Sequence, residues 1–61
     1  MKDFATSTDL INYCTVNNLV YEVETRDVRD TSCTYRFDIW PQGEKEGFSL
    51  HTQEFKVSWE D

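Results

Sequence analysis

Three stretches of this chain alternate large apolar with polar residues at a period of two. Leu19, Tyr21 and Val23 interleave with Val20, Glu22 and Glu24. Cys33, Tyr35, Phe37 and Ile39 interleave with Thr34, Arg36 and Asp38. Phe55, Val57 and Trp59 interleave with Lys56 and Ser58. Successive side chains of a β-strand point to opposite faces, so each stretch reads as a strand with one oily and one wet face. In 61 residues this leaves room for one small sheet and whatever covers it.

The cover is read from residues 6–18. Thr6 followed three positions later by Asp9 is a capping-box-like helix start, with Ser7 and Thr8 competing for the cap. Leu10, Ile11 and Cys14 then share one side at helical spacing, with Tyr13 at the flank. Asn17 and Asn18 stop the helix, because Asn tolerates the left-handed backbone of a C-terminal cap. So short a helix holds only by packing its stripe on a sheet.

Strands are expected over 19–25, 33–40 and from 48 onward. Residues 26–32 form a charged connection, and residues 42–47 a loop with two glycines. Pro41 ends the second strand because it lacks a backbone N–H. The third strand carries a phase fault. Phe48 and Leu50 share one parity, and Phe55, Val57 and Trp59 the other, so one continuous strand cannot bury both sets. A β-bulge or a break within 51–54 would reconcile them. With short connections, neighbours in sequence become neighbours in space. The predicted fold is α+β: one N-terminal helix on a three-stranded antiparallel meander, α-β-β-β, as a single domain over 1–61.

Composition narrows the functional classes. Twelve acidic against six basic side chains give a net charge of −6, which repels phosphate backbones and anionic membranes and suits a basic protein partner. The same charge also keeps a small domain soluble. The first residues lack an apolar signal core, and no apolar run approaches the ~20 residues of a spanning helix. The expected location is cytoplasmic, or the host cell interior for a viral protein. Cys14 and Cys33 are too few for a disulfide scaffold and read as buried free thiols, with one bridge as the alternative.

No constellation specifies chemistry. His51 is the only histidine, and it has no Cys or His partner at metal-ligand spacing. Gly43 and Gly47 fit no phosphate-loop pattern and lie among acids that repel phosphate. Glu44 and Glu46 lack calcium-loop spacing. Neither an enzyme nor a metal or cofactor site is expected.

What remains is surface. Val20 and Trp40 interrupt the wet face, and a large aromatic beside charges is a common interface anchor. Trp40 folding over the sheet edge, or stacking on Arg36, is the plainer alternative. Arg36 is expected between acidic neighbours and Lys56 beside Asp38, leaving surplus acid on the connections and at Glu60 and Asp61. The expected partner-binding residues are Val20, Glu22, Glu24, Asp38, Trp40, Glu44 and Glu46. The favoured function is a small acidic modulator that binds a basic or nucleic-acid-handling protein without catalysis, such as a phage-type or mobile-element inhibitor. The alternatives are a homodimeric accessory module with Trp40 or a strand edge in its interface, and a small nucleic-acid-binding regulator using Arg26, Arg29, Arg36 and Lys56.

Overall fold

The computed structural model describes residues 1–59. Helix α1 spans Ser7–Val16, and strands β1 (Leu19–Arg26), β2 (Ser32–Pro41) and β3 (His51–Ser58) follow it. The strands form one antiparallel sheet in the order β1-β2-β3. The capping signals act as their chemistry predicts. Thr6 is the N-cap, and its hydroxyl accepts the Asp9 N–H at 3.1 Å. Asn17 closes the other end, its backbone N–H donating to the Tyr13 carbonyl. Asn18 takes φ +55° and turns the chain into β1.

The register places Val20 opposite Trp40, Glu22 opposite Asp38 and Glu24 opposite Arg36. Across β2, Tyr35 faces Phe55, Arg36 faces Glu54 and Ile39 faces His51. The phase fault resolves differently from the expectation. Pairing is unbroken from His51 to Ser58, so there is no slip within 51–54. The change of phase sits before the strand. The Leu50 N–H donates to the Ile39 carbonyl at 2.7 Å, and His51 is the register partner of the same Ile39. Two residues against one is the arrangement of a bulge. Phe48 and Leu50 therefore stay outside the strand and exposed.

Leu10, Cys14, Phe37 and Ile39 make the buried cluster, with Phe4, Ile11, Leu19, Tyr35 and Phe55 packed around it. The Phe37 ring meets Phe55 edge-on at 5.5 Å and Tyr21 at 5.9 Å. The roof is shorter than the floor. A ten-residue helix is about 15 Å long, whereas strands of eight to ten residues run about 26–33 Å. Tyr21, Val23, Val57 and Trp59, expected inward, are accordingly exposed, Val23 by 44% and Val57 by 45%.

Both cysteines are buried and free. Burial pushes the Cys14 thiol above its ordinary range. The Tyr35 phenol is also raised, first by a hydrogen bond with the Cys33 side chain. A raised acid keeps its proton in the folded state after the unfolded chain has begun to lose it. Stability is thus intact below the unfolded thiol value and declines above about pH 8.5. Urea midpoints at pH 7 and pH 9.5 test this. The alkaline loss should be smaller in Cys14→Ala than in the native chain, and an equal loss would show that Cys14 does not contribute.

Candidate binding face

The even-numbered side chains of the sheet form its outer face, opposite α1, and they lie in rows set by the register. Val20 and Trp40 make an apolar first row. Glu22, Asp38 and Thr52 make the second, which carries two carboxylates. Glu24, Arg36 and Glu54 alternate acid, base, acid in the third. Arg26, Thr34 and Lys56 make the fourth, which carries two cations. The face is near balance in total but polarised along the strands. Lys56 is opposite Thr34 rather than beside Asp38, because the β2–β3 register carries it two rows further than expected. Arg36 does lie between Glu24 and Glu54 in the register, as expected. Its ion pair is nonetheless with Asp38, two residues along its own strand, at 3.4 Å from Nε to Oδ2. That contact is not a well-formed hydrogen bond, and Arg36 Nε is otherwise unpartnered.

The loop after β2 folds onto the apolar end of this face. The Trp40 indole N–H donates to the Gly47 carbonyl at 3.0 Å. The Glu44 N–H donates to the Pro41 carbonyl and the Gly47 N–H to the Glu44 carbonyl, closing two turns. Gly43 sits at φ +83°, where a side chain would be strained. Lys45 reaches back to Glu22 as an ion pair. Trp40 is therefore half-buried and holds the loop, while Glu44 and Glu46 stay exposed beside it.

Val20, Glu22, Glu24, Asp38 and Trp40 thus share one face, and Glu44 and Glu46 border it. Most of the strand acids already have internal partners: Glu22 with Lys45, Glu24 with Arg26, and Asp38 with Arg36 and with the Thr52 hydroxyl at 2.6 Å. Asp27 pairs with Arg29 in the β1–β2 connection. Glu60 and Asp61 lie outside the described residues. Lys45, Gly47 and Thr52, which shape the face, carried no signal of their own in the sequence. Their roles follow from the register and the loop path. A shallow depression of about 250 Å³ lies near the basic end, lined by Arg26, Arg36, Thr52, Gln53 and Glu54.

On the opposite face His51 is a half-buried residue at the start of β3, beside the bulge. Its ring lies against Phe4 at 5.7 Å, with Nε2 3.1 Å from Gln53 Oε1 and 3.4 Å from Asp3. Among the described residues no three His, Cys, Asp or Glu side chains converge on a point that would hold a metal. Nor is any described helix long and apolar enough to cross a membrane.

The chain is therefore a small α-β-β-β domain with a polarised outer sheet face. No protein family, curated protein or solved structure matches it.

Proposed function

We propose that this protein works by binding, without catalysis, and that the acidic end of the outer face meets a basic surface on a protein partner. The observation that carries the reading is the joining of Val20 and Trp40 to the carboxylates of Glu22 and Asp38 and to the exposed loop acids Glu44 and Glu46. An apolar centre with a charged rim is the usual anatomy of a protein contact. Acids held on a braced loop supply a fixed field that steers a basic partner without ordering a mobile segment. The cations of the fourth row sit at the far end, so the face also imposes an orientation on whatever docks there.

A nucleic-acid-handling protein has the kind of basic groove this end would fit, and an inhibitor of such a protein is the favoured case. Two free buried thiols suit the reducing interior of a cell, and a cytoplasmic setting belongs to the same reading.

Affinity capture followed by mass spectrometry tests the proposal. Glu44→Lys/Glu46→Lys reverses two exposed charges without touching the core. It should weaken capture of the native chain's partner about tenfold or more, with the loss deepening as salt is lowered. Partners recovered equally by both chains would refute the acidic-surface reading. A mobility shift with duplex DNA or RNA at low salt is expected to show no complex.

A further inference from the structure

The outer edge of β3 has no partner strand among the described residues. The Trp59 N–H donates to the Thr31 carbonyl at 2.8 Å, and Thr31 lies opposite Trp59 when the β2–β3 register is extended by one position. In an antiparallel ladder the bonding direction alternates residue by residue. Odd positions of β3 therefore bond inward to β2. Thr52, Glu54, Lys56 and Ser58 direct their backbone N–H and C=O groups out from the free edge of the sheet.

Two such edges related by a two-fold axis through Phe55 bring Glu54 opposite Lys56 of the other copy and Thr52 opposite Ser58. Each of these is a pair whose backbone groups already point at one another. Opposite charges directly across a ladder stabilise it, and like charges destabilise it. The neighbouring symmetric registers fail this test, because centring on Glu54 opposes two carboxylates and centring on Lys56 opposes two ammonium groups. The other free edge is less suited. Registers of β1 with itself centred on Glu22, Val23 or Glu24 set carboxylate against carboxylate, and the one centred on Thr25, which opposes Glu24 with Arg26, overlaps only residues 24–26 of the strand.

Among the described residues neither Glu54 nor Lys56 takes part in an ion pair within the chain, and both are exposed. On the inner face the same register sets the half-buried Phe55 against its copy. It also sets Val57, exposed by 45%, against Gln53. The part of the oily face that α1 leaves open is continued there by the partner's side chains.

We infer that the chain forms a two-fold homodimer through β3, giving a continuous six-stranded sheet with both helices on one side. An isologous contact of this kind closes on itself and does not grow into fibres. The seam leaves Val20, Trp40 and the 42–47 loop at the two outer ends, so the pairing stands or falls independently of the partner-binding reading.

Sedimentation equilibrium of the full chain over about 1 to 200 µM tests it, a span suited to interfaces smaller than the standard size. A reversible dimer is expected. Lys56→Glu should weaken it about tenfold or more by opposing two carboxylates twice over, and Glu54→Lys/Lys56→Glu should restore it to within about threefold. Circular dichroism of each variant separates a lost seam from a lost fold. Amide exchange supplies an arm that needs no variant. Protection at Glu54 and Lys56 should rise with concentration while Val23 stays unchanged. A native chain that is monomeric throughout, a dimer indifferent to Lys56→Glu, or concentration-dependent protection at Val23 instead would each overturn the inference.

Discussion

Leu10→Ala is expected to leave the domain largely unfolded at room temperature. Leu10 is 0% exposed and is one of three fully buried large side chains, with Ile39 and Cys14. It is the residue by which α1 is seated on the sheet, and the helix has little stability of its own. Removing three carbons from such a site costs about 2–5 kcal/mol, depending on how far the neighbours collapse into the cavity. A single core in a domain below about 70 residues rarely supplies more than ~3–5 kcal/mol. The loss is therefore comparable with the whole margin. Each kcal/mol moves the melting temperature of so small a domain by about 4–8 °C. A thermal melt by far-ultraviolet circular dichroism should show either no cooperative transition or one lowered by well over 10 °C on that scale. Leu10→Met, which nearly keeps the volume, should cost under about 1.5 kcal/mol. A Leu10→Ala chain that melts within a few degrees of the native one would mean that the helix does not hold the fold together.

Gln53→Leu should produce the second-largest loss, about 1–3 kcal/mol. The Gln53 side chain makes two bonds to one residue 49 positions away. Its Oε1 accepts the Phe4 N–H at 2.8 Å, and its Nε2 donates to the Phe4 carbonyl at 2.7 Å. The amide acts as a stretch of borrowed β-ladder, docking the N-terminal segment over β3. That dock places the Phe4 ring against Tyr13 at 5.3 Å and against His51. Leucine keeps the bulk but leaves both Phe4 backbone groups without partners in a part-buried position. Urea titration measures the loss. Deleting residues 1–4 removes the same interaction from the other side, so Gln53→Leu should cost little more in the shortened chain. Full additivity of the two changes would show that the clamp carries no energy.

Much of the architecture was legible because it rests on local chemistry. The Thr6 cap, the Leu10–Cys14 stripe, the Asn17–Asn18 stop and the two-residue periods of β1 and β2 are each written within a few adjacent positions. The strand order followed from the short connections. Phe48 and Leu50 are deceptive because apolar parity alone does not establish strand membership. They stand outside the ladder, and β3 starts where pairing with Ile39 begins. Val23 and Val57 are exposed for a reason of length: periodicity tells which way a side chain points, not whether anything reaches far enough to cover it.

The candidate face divides in the same way. Val20 and Trp40 were visible as breaks in a polar pattern, and Glu22, Glu24 and Asp38 as their companions. The Trp40–Gly47 bond, the Lys45–Glu22 pair and the run from acidic to basic rows were not visible. Each needs a register or a loop path that no short window of residues contains.

Alternation, caps and spacing, all interactions over a few residues, determined by themselves that this chain makes one helix and three strands with an oily and a wet side. How far the helix extends along the sheet, which residue of one strand meets which of the next, and how the N-terminus is fastened were decided only in the tertiary structure. Those features depend on contacts between positions up to 49 residues apart, whose energies exist only once the chain has brought them together.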